Sequence, residues 1–408
     1  MPAFLREPLE GKLAATYCAY LVYTTLQRGS CIRSNHIKIQ GRCRSGLNYF
    51  GEPMSSADYL QGACVWNGVE MYESPRWVKD FPPAVLDGID IAVGKSAGID
   101  WTEVNRDNFP LPGATAFFDD VREELENGSG MVKIRGLDVS RYNQEQLRRI
   151  WYALGRHLGT PMFQNRRGEL MREIKDEGAG VGAKLYGATV DASGKEFLSS
   201  GARTLSPGEL RFHTDRCDVV GLLCVRQASE GGVSKLASSA TVYNEMLRRR
   251  PDLHALLCKP IPRSRFGEEA GGQYVTYDLP VFGVRDGKLT SHFSLTYIEN
   301  AQLLSNVRKL TDAEHEALRM LLQLAQEYCF EMRFAPGDIQ LLNNHIVYHG
   351  RTAFKDDATT GQDRMLMRLW LSVPNSRALP EDHAVLWGDV SGGMPHGGIA
   401  QPATPCMS

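Results

Sequence analysis

The sequence predicts a mainly β protein, a β-sandwich or jelly roll with flanking helices. Its apolar runs are many and short, and Gly130–Leu137 alternates in the way that a strand does. Val219–Gln227 is a continuous apolar run, which is typical of a strand buried on both faces. Glycine and proline turns separate the runs, as at Gly231–Gly232 and Ala335–Asp338. These features together favour stacked sheets built from short strands.

Helices are predicted where apolar residues recur at helical spacing. Ala116–Asn127 and Asn143–Leu158 have this spacing, and the second segment ends in a Gly-Thr-Pro sequence. A third helix is predicted up to Glu327. Thr311 begins it, and Glu314, three residues later, completes a capping box.

The segments between these helices are less regular. Glu169–Gly178 fits either a strand or a helix, and Ile261–Tyr297 consists of short β-like runs. Ile339–Leu342 and Leu366–Val373 are predicted strands. Residues 185–208 are polar and rich in glycine and serine, which is typical of a loop.

Length and composition predict an ordinary globular chain. Of its 408 residues, 42% are hydrophobic and 23% are charged, values typical of soluble proteins. We predict a partly irregular N-terminal extension at residues 1–100, a β domain at residues 101–375 and a C-terminal tail at residues 376–408.

Charge and cysteine content narrow the classes of partner and compartment. The net charge of −2 gives no basic field for a nucleic acid, and the local basic run Arg28–Arg44 is interpreted as a solvated segment. Leu13–Leu26 is shorter than the ~20 apolar residues of a membrane helix. Nine cysteines without C-x-x-C spacing favour reduced thiols in a cytoplasmic protein. Whether the N-terminal extension contacts a second copy of the chain, so that the protein forms a homo-oligomer, is left open.

A candidate metal site lies in the stretch Arg211–Asp218. If this stretch is a strand, His213 and Asp215 present an imidazole and a carboxylate on the same face. Two such ligands are part of the 2-His-1-carboxylate triad, which holds Fe(II) and leaves coordination positions open. We therefore expect a third ligand, a histidine from another strand. His349 is the best candidate for it.

The metal motif is one of several short motifs in a fixed order. H-x-D is followed by GGVS at residues 231–234, by GDIQLLNNHIVYHGRTAF at residues 337–354 and by RMLMRLWLS at residues 364–372. In order and spacing they resemble the TauD/TfdA-like Fe(II)/2-oxoglutarate dioxygenases, most closely the clavaminate-synthase-like branch, over Gly130–Val373. The resemblance implies a double-stranded β-helix (jelly roll) as the catalytic domain. It also implies Fe(II), 2-oxoglutarate and O2 as metal, co-substrate and oxidant.

The resemblance gives His349 its preference, because the HGRTAF context matches the family. His345, four residues earlier, and His292 are the competing ligands. Asn343, Asn344 and Arg351 are interpreted as residues that orient the ligands or form turns, because a ligating histidine normally donates its other N–H to a nearby acceptor.

The resemblance also assigns binding roles. Arg364 resembles the arginine that binds the far carboxylate of 2-oxoglutarate, for which a planar guanidinium is well suited. Arg368 resembles a second arginine near the co-substrate, which in several members meets an anionic group of the substrate. Ser234 stands where the family usually has a threonine hydroxyl. Arg216, next to the metal motif, is a candidate for a substrate carboxylate, with an ordinary surface arginine as the alternative.

The function that follows is oxidation of a C–H bond in a small molecule, coupled to conversion of 2-oxoglutarate to succinate and CO2. Two arginines near the site indicate a carboxylate-bearing substrate such as an amino acid or a related metabolite. Hydroxylation, desaturation and oxidative cyclisation all remain open. The resemblance further predicts that residues 185–208 form a lid. The alternative is a cupin-like metal-binding protein or isomerase that does not consume 2-oxoglutarate.

Overall fold

A computed structural model describes residues 59–400, except residues 74, 179, 187, 191–195, 199, 266–267 and 270–272. Leu13–Leu26, Arg28–Arg44 and most of the predicted extension lie outside the described residues. Within the described part of the chain, no helix combines the length and the apolar character needed to cross a bilayer. The predicted lid over residues 185–208 stays a prediction, because several of its residues also lie outside the description.

The described strands are short, as the turn pattern predicts. They are β1 (Val78–Asp80), β2 (Met131–Arg135), β3 (Thr160–Pro161), β4 (Met171–Ile174), β5 (Ala188–Val190), β6 (Glu196–Leu198), β7 (Leu210–His213), β8 (Val219–Arg226), β9 (Glu230–Gly231), β10 (Ser234–Ser238), β11 (Ile261–Ser264), β12 (Thr276–Leu279), β13 (Phe282–Arg285), β14 (Lys288–Ser291), β15 (Phe330–Met332), β16 (Ile339–Asn343), β17 (Val347–Arg351), β18 (Phe354–Lys355) and β19 (Met365–Ser372).

Helices flank these strands. They are α1 (Gly68–Glu73), α2 (Pro83–Lys95), α3 (Ala114–Asn127), α4 (Gln144–Leu158), α5 (Val181–Tyr186), α6 (Ser200–Arg203), α7 (Ser239–Arg249), α8 (Pro251–Leu257), α9 (Leu295–Leu303), α10 (Asp312–Glu327) and α11 (Ala384–Trp387). The helix predicted at residues 311–327 is α10. It begins with the expected capping box, in which the Thr311 hydroxyl accepts from the Glu314 amide.

Two sheets form the core of the fold. The larger has the strand order β1-β2-β16-β8-β19-β3, with β4 also paired to β19. The smaller has the order β15-β10-β17-β7. Both sheets pair strands that are distant in sequence. All pairs in the smaller sheet are antiparallel. This mixed, sheet-rich architecture with flanking helices confirms the predicted jelly-roll fold class.

Helix α4 covers the outer face of the larger sheet, and glycines let the two surfaces approach closely. A Cβ atom on Gly221 of β8 would lie 2.9 Å from the Trp151 ring of α4. A Cβ atom on Gly155 of α4 would lie 2.7 Å from the Leu369 side chain of β19. Because glycine lacks a Cβ, the helix packs directly on β8 and β19. Strand β19 carries Arg368 and Trp370, which reach the candidate site from the larger sheet.

The structure corrects two of the predicted elements. The metal strand ends at His213, so Asp215 lies beyond it. The chain leaves the ladder because the main chain of Thr214 bonds instead to Phe293, with its N–H donating to the Phe293 carbonyl at 2.8 Å. Tyr297, the end of a predicted β-like run, lies in helix α9.

Segments on both sides of the predicted β domain pack on the core. Strand β1 pairs in parallel with β2. Beyond residue 375, Leu379, Trp387 and Ile399 are all buried. The boundaries proposed at residues 100 and 375 stay predictions.

Candidate metal centre and adjoining cavities

The candidate ligands come together where β7 meets β17. His213 and His349 are directly opposed in the antiparallel register of these strands. Their ring centroids are 4.3 Å apart. Asp215, just after β7, brings its carboxylate to the same point, where its oxygens lie 3.9 Å from the Nε2 atoms of both histidines. One atom from each of the three side chains therefore falls within 4.8 Å of the others.

Hydrogen bonds hold the Asp215 carboxylate in place. Its Oδ2 atom accepts from Trp370 Nε1 at 2.9 Å and from Arg368 Nη1 at 3.3 Å. The Asp215 main-chain N–H donates to Asn344 Oδ1 at 3.0 Å. Burial raises the pKa of Asp215, but the guanidinium of Arg368, the two histidines and the Trp370 N–H outweigh burial and hold that pKa below its usual value. The carboxylate is therefore anionic and oriented, as a metal ligand must be.

The two imidazoles are also prepared to coordinate a cation. His213 Nδ1 lies 2.9 Å from the carbonyl oxygen of Arg211 and donates to it, which leaves the Nε2 lone pair facing Asp215. Burial lowers the pKa of His349 to about 3. A neutral imidazole beside a carboxylate and a second imidazole is the donor set that suits a divalent first-row metal such as Fe(II).

The competing histidines lie elsewhere. His345 Nε2 is 3.0 Å from Asp218 Oδ1, in a buried cluster that also includes His396. His292 Nδ1 is 3.2 Å from the Thr214 hydroxyl. Neither belongs to the group of three that could hold a metal among the described residues.

A cavity of about 520 Å³ opens on one side of the three ligands, and we call it the Arg364 cavity. His349, Ser234, Arg351, Arg364 and Arg368 are among its lining residues. Arg364 is buried, and neither its Nε nor its Nη1 atom has a hydrogen-bond partner within the described chain. Burial lowers the pKa of this guanidinium to about 10. Because a buried unpaired cation is unfavourable, the cavity suits an anionic ligand.

Two other polar side chains of the Arg364 cavity already have partners within the protein. The Ser234 hydroxyl bonds to the Gln340 amide group, with an oxygen-to-oxygen distance of 3.2 Å. Arg351, considered as an orienting or turn residue, is a second buried guanidinium, and both arginines lie against the ring of Phe354. The Nη2 atom of Arg351 donates to the Ser206 carbonyl at 2.8 Å. Burial lowers its pKa to about 9.

A second cavity, of about 720 Å³, opens on the other side of His213 and Asp215, and we call it the Arg216 cavity. Arg216, Arg265, Glu268 and Tyr297 are among its lining residues. Arg216 is therefore not a surface arginine. His349 lines only the Arg364 cavity, whereas His213, Asp215 and Arg368 line both.

Arg368 stands between the two cavities. Its Nε atom donates to Gln164 Oε1 at 2.7 Å, and its Nη1 atom donates to Asp215 at 3.3 Å. Arg368 thus contacts the candidate metal ligand Asp215 as well as Gln164.

Several residues of the site were not among those predicted from the sequence. Trp370 lies two residues after Arg368 on β19, and a period of two along the strand was a signal that could have found it. Gln164 lies three residues after the Gly-Thr-Pro sequence that follows α4, and no site role was predicted for it. Arg265 and Glu268 come from segments without a motif, and only the folded chain brings them to the site.

Comparisons with known proteins identify the family of this chain. Residues 97–370 match the profile described as "Taurine catabolism dioxygenase TauD, TfdA family". "FR-33289 synthase" of Streptomyces rubellomurinus is 28% identical over 336 residues, which cover 79% of this chain and 92% of that protein. "Taurine hydroxylase-like protein SAT17" of Stachybotrys chartarum is 27% identical over 275 residues, 64% of this chain and 66% of that protein.

Solved structures share the fold at low identity. Asparagine oxygenase in complex with Fe(II), hydroxyasparagine and succinate aligns with a TM-score of 0.53 and 19% identity, over 78% of this chain and 100% of that one. The non-heme iron oxygenase OrfP, in complex with Fe, succinate and hydroxy-L-Arg, aligns with a TM-score of 0.51 and 15% identity, over 74% and 96% of the two chains. Because the family profile spans more than half of the sequence, the chain belongs to the TauD/TfdA family of dioxygenases, enzymes that use Fe(II), 2-oxoglutarate and O2.

Proposed function

We propose that this dioxygenase oxidises an unactivated C–H bond of a small carboxylate-bearing molecule, an amino acid or a related metabolite. The outcome is hydroxylation, desaturation or oxidative cyclisation. The observation that carries the proposal is the meeting of two cavities at one set of metal-ligating side chains. The Arg364 cavity takes the co-substrate, and the Arg216 cavity takes the substrate.

In this proposal His213, Asp215 and His349 hold Fe(II). The donor set supports the assignment, because two imidazoles and one carboxylate leave the coordination positions that this chemistry needs. With 2-oxoglutarate and O2, the iron supplies the oxidant that removes hydrogen from the substrate. Trp370 and Arg368 fix the Asp215 carboxylate, while the Arg211 carbonyl fixes the tautomer of His213.

Arg364 binds the far carboxylate of 2-oxoglutarate in the proposed complex. Its unpaired Nε and Nη1 atoms support this role, because a fork of two N–H donors matches a carboxylate. Ser234 contributes its hydroxyl from the facing wall. Arg368 reaches both cavities, so it is placed to contact the co-substrate and the substrate.

The substrate assignment rests on the charge of the Arg216 cavity and on the relatives. Four guanidiniums line this cavity against two carboxylates, and one of the carboxylates belongs to the metal centre. Two similar structures hold hydroxylated amino acids, hydroxyasparagine in one and hydroxy-L-Arg in the other. A small amino acid, whose carboxylate would meet the guanidiniums of this cavity, fits both observations.

We also propose that the enzyme works in the cytoplasm. The cysteines in the described part of the chain are free thiols, which suits a reducing compartment. We further propose that the protein forms a homo-oligomer, and sedimentation analysis of the full chain would measure its molecular mass in solution.

The proposed function is tested by supplying the full-length protein with Fe(II), 2-oxoglutarate and O2 together with a panel of free amino acids. Succinate is measured, and substrate masses are followed for a gain of one oxygen or a loss of two hydrogens. We expect one member of the panel to raise succinate formation well above the substrate-free rate and to change mass. Absence of any iron-dependent succinate would contradict the proposal.

A further inference from the structure

The part of the chain beyond the family match builds one wall of the Arg216 cavity. The match ends at residue 370, and helix α11 follows it in sequence. Leu386 of this helix lines the cavity. The substrate side of the site therefore includes residues that the common family sequence does not determine.

Main-chain carbonyls of α11 fix two arginines of the cavity. Arg216 Nη2 donates to the Leu386 carbonyl at 2.7 Å. Arg265 Nη2 donates to the Val385 carbonyl at 2.8 Å. The Gly398 N–H donates to the Arg216 carbonyl at 2.7 Å, so the C-terminal segment holds Arg216 from both its main chain and its side chain.

Both guanidiniums retain nitrogen atoms that the protein does not satisfy. Arg216 Nε and Arg265 Nη1 are buried, and neither has a hydrogen-bond partner in the part of the chain that the structure describes. Two desolvated cations that share a cavity are unfavourable unless an anion lies between or beside them.

A carboxylate lines the same cavity. Glu268 accepts a hydrogen bond from the Tyr297 hydroxyl at 3.1 Å. Burial raises the pKa of Glu268 to about 7, although Arg216 and Tyr297 oppose that rise. Glu268 is therefore a buried carboxyl group that is partly protonated near neutral pH, and a cationic group of a ligand beside it would favour its charged form.

We infer that Arg216 and Arg265 bind the carboxylate of the substrate, and that Glu268 binds an ammonium or another N–H donor of the same molecule. This inference rests on the proposed function, because it assigns the Arg216 cavity to the substrate. It places substrate selection on helix α11 and on two described residues that follow β11, Arg265 and Glu268. Arg368 is less available for the same role, because its Nε and Nη1 atoms already bond to Gln164 and Asp215.

The experiment uses sulfate as an oxyanion probe of the full-length protein. Fe(II) chloride and saturating 2-oxoglutarate are added without oxygen at about pH 8, where Glu268 is mostly ionised. The visible charge-transfer band of the iron–2-oxoglutarate complex reports the co-substrate site. Calorimetric titration with sodium sulfate then reports the Arg216 cavity, because 2-oxoglutarate already fills the Arg364 cavity.

We expect Arg216→Gln and Arg265→Gln each to weaken sulfate binding by about 10-fold or more, since each loses a charged hydrogen-bond donor. Both variants should keep the charge-transfer band. Glu268→Gln should strengthen sulfate binding, because it removes a negative charge from the same cavity. The surface variant Arg319→Gln controls for the loss of one positive charge and should bind sulfate as the wild type does.

Two results separate the inference from the proposed function. If the wild type forms no charge-transfer band, the proposed function fails. If the band forms but sulfate does not bind, or binds equally to all variants, the inference fails. Arg216→Lys and Arg265→Lys serve where the glutamine variants do not fold. They keep the charge but lose the planar fork, so we expect affinities between those of the wild type and the glutamine variants.

Discussion

His213 and His349 face each other across the ladder between β7 and β17, with ring centroids 4.3 Å apart. More than 130 residues separate them in sequence, so the register of one strand pair determines whether the candidate centre exists. A slip of one residue would turn one imidazole to the opposite face of the sheet. The candidate centre therefore depends on the strand register of the smaller sheet as much as on the identity of the ligands.

Replacing His349 by alanine should abolish iron binding and turnover. Two ligands would remain, and we expect succinate formation to fall by about 100-fold or more, because loss of even an outer partner typically costs 10- to 100-fold in metal affinity or activity. The measurement is succinate release, combined with Fe(II) titration of the charge-transfer band.

The matched control for this change is His315→Ala, which removes an exposed imidazole from α10. It should keep the iron affinity and the rate of the wild type. Wild-type iron affinity in the His349→Ala variant would remove His349 from the centre.

Arg364→Lys should weaken 2-oxoglutarate binding while leaving the charge in place. Lysine cannot offer the two parallel donors of a guanidinium. Losing one hydrogen bond to a charged group costs about 1.5–3 kcal/mol, so we expect the KM for 2-oxoglutarate to rise by about 10- to 100-fold with a smaller change in kcat. The exposed Arg319→Lys on α10 is the control. An unchanged KM would mean that the co-substrate binds elsewhere.

The candidate metal ligands could be predicted from the sequence better than the lining of the Arg216 cavity. His213, Asp215 and His349 could be predicted because each lies in a short motif whose order along the chain matches the family. Arg265 and Glu268 could not be predicted, because no motif surrounds them. They reach the cavity only because the chain after β11 packs near α11, a contact between parts of the chain 120 residues apart.

The local sequence pattern also gave the wrong secondary structure at two places where tertiary contacts determine it. The short β-like runs of residues 261–297 gave four strands, but Leu295–Leu303 became helix α9, which packs against β11. Asp215 was assigned to a strand, and it lies outside because Thr214 pairs with Phe293 instead. In both cases a partner distant in sequence overrides the local alternation.

Trp370→Phe should test how the metal carboxylate is positioned. Phenylalanine keeps an aromatic ring in the core but removes the N–H that donates to Asp215 Oδ2 at 2.9 Å. We expect the affinity for Fe(II) to fall by about 10-fold, the lower end of the range for partners of metal ligands. The variant should keep a similar thermal midpoint. Equal iron affinities would show that Arg368 alone positions the carboxylate.

His254 predicts a pH dependence of stability that is independent of the metal centre. Its ring is buried between Tyr243, at 4.2 Å, and Phe282, at 5.6 Å, and burial lowers its pKa to about 4. The unfolded chain, with a histidine pKa of about 6.5, therefore binds more protons than the folded chain between these two values. The contribution of the neutral ring to stability is fully present above about pH 6.5 and is lost as the pH falls towards 4.

His254→Phe removes this titration while keeping an aromatic ring between the same neighbours. The wild type should lose about 1.4 kcal/mol per pH unit from this group across that window, roughly 3 kcal/mol in total. The free energy of unfolding is measured by urea denaturation at several pH values, and the difference between the two proteins isolates His254 from the other titrating groups. We expect the curve of the variant to be shallower below pH 6.5 by that amount. Parallel curves would mean that the folded protein accommodates a protonated His254, against the burial seen here.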